Sequence, residues 1–229
     1  MSIHIVEQGS AEWKALRVGK VTASRVADLI AKTKTGWSSS RANYLAQLVA
    51  ERLTGEVAES YTNAAMEWGT LYEPDARAEY ELRRRCEVQQ IGFVDHPSIP
   101  MAGASPDGMV GDDGLVEIKA PLTATHIDTL LSQCVPSKYE TQIQWQLACT
   151  GRKWCDFVSF DPRMPESMSL FIARVDRDEK RISELERDVR QFLAELDQKV
   201  ADLRAVYIER RSPLIQNLKA SADLLDKAS

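Results

Sequence analysis

The segment Leu-Val-Glu-Ile-Lys-Ala-Pro at 115–121 constrains the fold of this 229-residue chain more than any other. Its short apolar alternation marks a strand. Turn signals bracket it: Ser-Pro-Asp-Gly at 105–108 and Gly-Asp-Asp-Gly at 111–114 upstream, Pro121 downstream. Side chains alternate along a strand, so Val116 and Ile118 share one face while Leu115, Glu117 and Lys119 share the other. The expected packing sends Val116 and Ile118 into the core. It leaves Glu117 and Lys119 on an open wall, about 7 Å apart along the backbone. Asp107, in the turn that feeds the preceding hairpin, falls beside Glu117.

Two carboxylates held close repel each other unless a cation lies between them. Oxygen-only ligation suits magnesium, which takes one or two carboxylates and completes its octahedron with water and phosphate oxygens. A lysine next to such an ion can orient or deprotonate a bound water, so Asp-x9-Glu-x-Lys makes a workable phosphodiesterase site. Taken alone, Glu-x-Lys is also an ordinary surface ion pair worth less than about 1 kcal/mol. The rest of the chain decides between the two.

Upstream, Ala11 to Ile30 reads as two short helices around a turn, with Thr22 or Ser24 able to cap the second. Residues 31–40 read as a basic loop of small residues. Tyr44, Leu45, Leu48, Val49 and Leu53 predict an amphipathic helix that stops at Gly55. A further helical region spans 64–85, and Pro74 predicts a kink or a restart there. Strands are expected at 88–94, 101–104 and 115–120, a helix over 137–151, and two more strands at 153–161 and 168–175. Ile182, Leu185, Val189, Phe192, Leu196, Val200 and Leu203 recur every three or four residues, which describes one long helix; packing back on the domain is the favoured reading of its apolar face and contact with another subunit the alternative. Arg210 to Pro213 breaks it before a short tail helix. The expected architecture is a single α/β domain over 1–229, with a core at about 10–180 and a C-terminal helical extension from about 178.

Composition narrows the function classes. A net charge of −5 argues against a protein that coats nucleic acid by bulk attraction, but not against an enzyme with a few placed cations. No apolar run is long enough to span a membrane, and the first residues lack a signal-peptide pattern, so the chain reads as cytoplasmic. Cys86, Cys134, Cys149 and Cys155 form no Cys-x-x-Cys and read as mostly buried reduced thiols. Their placement around the carboxylate strand is similar to that in iron–sulfur nucleases, but gaps of 14 and 5 residues do not suit a compact cluster.

Five blocks occur in an order and spacing that resembles the phage lambda-type alkaline exonucleases, the viral recombinase branch of the PD-(D/E)xK nucleases. They are LRVGKVTAS (16–24), EWGTLYEPDAR (67–77), SPDG (105–108), LVEIKAP (115–121) and YETQIQW (139–145). FDPRMP (160–165) adds a sixth. The resemblance implies a restriction-endonuclease-like fold with a central mixed sheet flanked by helices. It implies processive digestion of the 5′-ended strand of duplex DNA to leave a 3′ overhang, with two magnesium ions (manganese as a substitute). It also implies a homotrimeric ring on DNA ends, a single-strand annealing protein as partner, and a phage or prophage origin in a bacterial host.

Carried over by position, Asp107, Glu117 and the Ile118 carbonyl match the metal ligands, and Lys119 matches the lysine that positions the attacking water. Glu73 matches the acid that serves the second metal. Arg17, Ser24, Ser105 and Gln142 match the pocket for the 5′ phosphate, while Gln144 and Trp145 point elsewhere, Trp145 into the core. Met66 stands where the family has a strand-splitting leucine, and Lys34 where it has a minor-groove arginine; lysine keeps the charge and loses the fork. Two other readings of the same residues are a structure- or site-specific endonuclease and a non-catalytic DNA-end clamp.

Overall fold

The structure is a computed structural model that describes residues 2–57 and 64–209. The first half comprises β1 (Ile3–His4), α1 (Ala11–Arg17), β2 (Val21–Thr22), a 3-10 turn (Ala23–Arg25), α2 (Val26–Ile30), β3 (Lys32–Thr33), β4 (Gly36–Trp37), α3 (Ser39–Thr54) and α4 (Ala64–Arg84). Then come β5 (Val88–Gln89), β6 (Phe93–Asp95), β7 (Ala102–Ala104), β8 (Gly108–Val110) and β9 (Gly114–Lys119). The chain continues through α5 (Thr123–Ser132), α6 (Ser137–Thr150), β10 (Trp154–Phe160), β11 (Leu170–Asp176) and α7 (Glu179–Arg204).

Two sheets organise these elements. The larger has the order β11-β10-β9-β8-β5 and is mixed, because β9 and β10 run parallel while its other pairs are antiparallel. The smaller has the order β1-β6-β7-β2, with β2 parallel to β7. The main core lies between the sheets and α2, α3, α6 and α7, and includes Leu29, Tyr44, Leu115, Trp145, Phe157 and Phe192. A second cluster, Ala76, Tyr80, Val116, Ile118, Val158 and Phe160, packs α4 on the opposite face of the larger sheet.

Several expectations need correcting. Residues 88–94 are not one strand: β5 belongs to the larger sheet and β6 to the smaller. The chain changes sheets at Gly92, where a Cβ would meet the Val6 carbonyl oxygen at 2.5 Å, so only glycine admits the N-terminal segment. Residues 108–110 form a strand, and the hairpin turn lies at 111–113, with Gly111 at φ +52°. Between α1 and α2 the chain forms β2, and neither Thr22 nor Ser24 caps a helix. Residues 32–37 form a β3–β4 hairpin rather than an open loop. Helix α4 runs through Pro74 without a restart. Of the four cysteines, Cys149 and Cys155 are buried, Cys86 is half-buried and Cys134 is exposed.

Other expectations hold. Helix α3 ends at Gly55 with φ +76°. Helix α7 packs back on the domain: the Phe192 ring lies 5.7 Å from that of Tyr44, and Arg41 pairs with Glu195 at 2.8 Å. Its buried stripe ends at Val200, with Leu203 exposed. The expected break at Arg210–Pro213 and the tail helix lie outside the described residues. No described helix is long and apolar enough to cross a membrane. The first turn of α7 is capped by Asp178, whose carboxylate accepts the Arg181 N–H at 3.0 Å. Asp178→Ala is expected to cost about 0.5–2 kcal/mol, read as a lower urea midpoint with an unchanged slope.

Candidate active site

The site grows from the β8–β9 hairpin. Gly108 pairs with Val116, and a Cβ on Gly108 would meet Val88 Cγ1 at 2.1 Å. The bare backbone therefore lets β8 sit between β5 and β9, which brings Asp107 to the end of β9. There Asp107 Oδ2 accepts the Ile118 N–H at 2.6 Å. Lys119 Nζ lies 3.8 Å from the same oxygen and forms an ion pair with Glu117 Oε1. Asp107, Glu117, Ile118 and Lys119 are thus brought together as the motif predicts.

The open wall is not found. Glu117 is 0% exposed, because α6 covers the Leu115–Glu117–Lys119 face just as α4 covers the other. Only Lys119, 27% exposed in its side chain, reaches the cleft. Gln142 Nε2 donates to Glu117 Oε1 at 2.6 Å, and Gln146 Nε2 donates to Oε2 at 2.6 Å. Gln146 is a contact the sequence reading missed. Its signal was available, since Gln142 and Gln146 stand four apart on one helix face.

Burial first, then the charge of Asp107, pushes the Glu117 carboxyl up to about 7 against the pull of Lys119. Burial works against the Lys119 charge, but Glu117 and Asp107 outweigh it and hold the ammonium above its ordinary value.

Glu73 lines the same cleft, of about 590 Å3, together with Met66, Gly69, Thr70, Lys119 and Tyr139. Its carboxylate pairs with Arg77 at 2.6 Å. Burial and then Asp107 raise its pKa, while Arg77 and Lys119 oppose the shift. Among the described residues no three acidic, histidine or cysteine side chains converge as a ready-made metal cage. Asp107 and Glu117 form a pair with an ammonium against both, and Glu73, paired with Arg77, lines the cleft that Lys119 enters. Magnesium needs only one or two carboxylates, so this oxygen-only pair fits it.

On the neighbouring surface, Arg17 Nη1 donates to Ser105 Oγ at 3.0 Å, and its guanidinium stacks 3.9 Å over Trp13. Trp13 Nε1 also donates to Ser105 Oγ at 2.9 Å. Burial lowers the Arg17 pKa to about 10 against the pull of Tyr44 and Glu51, so the guanidinium is a desolvated cation to which an added anion would be welcome. Ser24 is exposed on the 3-10 turn, and Gln142 donates to Glu117. Of the four residues matched to a phosphate pocket, the structure pairs Arg17 with Ser105. Trp145 is fully buried, and Gln144 ties β11 to α7 through the Asp176 carbonyl and the Asp178 N–H. Lys34 is exposed at the tip of the β3–β4 hairpin and Met66 is 51% exposed in the cleft. In the 160–165 block, Asp161 accepts from Arg163 Nε at 2.7 Å, and Arg163 stacks 4.1 Å over Trp68 of α4. That block braces the helix that carries Glu73.

Residues 12–153 match the YqaJ-like viral recombinase domain family. Among solved structures, LHK-Exo in complex with dAMP is 49% identical, covering 86% of this chain and 97% of its own, with a TM-score of 0.81. A second structure of the alkaline exonuclease LHK-Exo, from Laribacter hongkongensis, is 48% identical over 90% of this chain and 100% of its own, with a TM-score of 0.80. A phage-related exonuclease from Haemophilus somnus 129PT, 15% identical with a TM-score of 0.65 over 80% of this chain and 96% of its own, shares the fold. No curated protein sequence matches. The mixed α/β architecture with its long C-terminal helix is the one these nuclease structures share. On the extent of the family match, this chain belongs to the YqaJ-like viral recombinase domain family.

Proposed function

We propose that this protein is a divalent-metal-dependent exonuclease that digests the 5′-ended strand of duplex DNA and leaves a 3′ overhang for single-strand annealing. The observation that carries this reading is the Lys119 ammonium set against both Glu117 and Asp107 at the edge of a cleft that Glu73 also lines. Support also comes from LHK-Exo, an alkaline exonuclease whose complex with dAMP is a complex with a nucleoside monophosphate.

Asp107, Glu117 and the Ile118 carbonyl would hold one magnesium ion and Glu73 would serve a second. A divalent cation there supplies a water of lowered pKa and neutralises charge on the scissile phosphate. Lys119 orients that water from the cleft side. Arg17 and Ser105, joined by Ser24 and Gln142, bind the 5′ phosphate and so set the cut relative to the strand end. Met66 separates the terminal base pair, and Lys34 follows the minor groove. Three copies around the duplex would keep the enzyme on its track, and an annealing protein would receive the exposed strand.

The test compares linear with closed circular duplex, each in magnesium, and linear ends with and without a 5′ phosphate. Linear DNA is digested and the closed circle survives. A 5′-phosphorylated end is preferred by about 10- to 100-fold, the worth of one charged hydrogen bond. Arg17→Ala removes most of that preference. Cleavage of the closed circle would replace this reading with an endonuclease. Equal use of both kinds of end would remove the phosphate pocket.

A further inference from the structure

We infer that Gln146 is a positioning residue for the reaction: from inside the core it fixes Glu117 Oε2 and so turns Oε1 toward the cleft. This rests on the proposed role of Glu117 as a cation ligand. The two oxygens of that carboxylate have different surroundings. Oε1 meets Gln142, which is half-buried, and Lys119, which lines the cleft. Oε2 meets Gln146, which is 0% exposed. A ligand arriving on Oε1 displaces Gln142 and Lys119 from that oxygen but leaves the Gln146 bond in place. Gln146 is therefore the contact able to hold the carboxylate through the change.

The other half of the Gln146 amide strengthens the case. Its Oε1 is buried and has no hydrogen-bond partner among the described residues. An unsatisfied buried acceptor costs about 1–3 kcal/mol, and a methionine of similar volume would not carry that cost. Flipping the amide does not help, because it would set Oε1 against Glu117 Oε2, acceptor on acceptor. What the amide contributes at this position is its donor, and the donor serves Glu117. Gln144, two residues earlier and also buried, makes the contrast. Both ends of its amide are satisfied, by the Asp176 carbonyl at 2.8 Å and the Asp178 N–H at 2.9 Å, so it is a structural tie.

The experiment uses the full chain as wild type, Gln146→Met and Gln144→Met, with calorimetric titration of Mn2+, thermal denaturation and digestion kinetics. Gln146→Met is expected to leave Tm near the wild-type value, the relieved Gln146 acceptor offsetting the donor lost to Glu117 Oε2, while weakening Mn2+ binding by about 10- to 100-fold, the usual effect of losing a group that orients a metal ligand. Its kcat falls at limiting Mn2+ and recovers when Mn2+ is raised, with KM for DNA ends unchanged. Gln144→Met lowers Tm and leaves the Mn2+ affinity at the wild-type value. Wild-type Mn2+ affinity in Gln146→Met overturns the inference, as does an equal loss in both variants, which would mean general loosening. Gln146→Leu serves as the second variant if methionine does not pack. A wild-type chain that binds no Mn2+ would overturn the reading of Glu117 itself and this inference with it.

Discussion

Lys119→Ala is expected to slow duplex digestion by about 10²- to 10⁴-fold, the range for losing a placed proton-handling group, while leaving metal binding intact or tighter. The second half follows from the charges. Asp107 and Glu117 share one nearby ammonium, which holds the ion pair with Glu117 and lies 3.8 Å from Asp107. Without it the carboxylates are left facing each other, and a divalent cation has no lysine to displace. Glu117→Ala is expected to abolish digestion too, but with loss of Mn2+ affinity, because it removes the ligand and not its competitor. Calorimetry beside a digestion assay separates the two. Near-wild-type digestion by Lys119→Ala would sink the assignment of that lysine. Weakened metal binding in the same variant would mean that it supports the carboxylates rather than competing with a cation.

The contrast also shows why the hairpin was readable from sequence and its surroundings were not. Asp107, Glu117 and Lys119 meet because a turn and one strand connect them, and strand alternation with turn chemistry is local information. The stripe from Ile182 to Val200 was legible for the same reason, since a helix buried on one face announces its period. Helix α6 gives no such signal. Every residue from Ile143 to Thr150 is buried, so no polar face is left to mark an orientation, and Gln144 and Gln146 look like surface residues. With α6 not placed over β9, the charged face of that strand read as open. The split at Gly92 was hidden in the same way, because the partner that demands glycine is Val6, far away in sequence.

Glu51→Ala is expected to cost about 1–3 kcal/mol of stability, the range for leaving a buried hydrogen-bond donor unsatisfied, and to erase the preference for 5′-phosphorylated ends. Glu51 is 4% exposed on α3. Its Oε2 accepts the Gly19 N–H at 2.8 Å and its Oε1 accepts Gln47 Nε2 at 2.8 Å. The next residue, Arg52, donates from Nε to the Gly19 carbonyl at 3.0 Å, so the turn at φ +65° is clasped from α3 at both its N–H and its C=O. Two residues before that turn stands Arg17, whose buried charge Glu51 helps to hold. Removing the carboxylate would leave the Gly19 N–H unpaired and the guanidinium less supported, which loosens both the fold and the proposed phosphate pocket. Glu51→Gln divides these effects. An amide oxygen can still accept the Gly19 N–H, so most of the stability should remain in urea denaturation. The charge opposite Arg17 is gone, so that cation depends more on an incoming phosphate, and the 5′-phosphate preference should hold or rise. A Glu51→Gln protein that loses the preference along with Glu51→Ala would show that charge, rather than turn geometry, places Arg17.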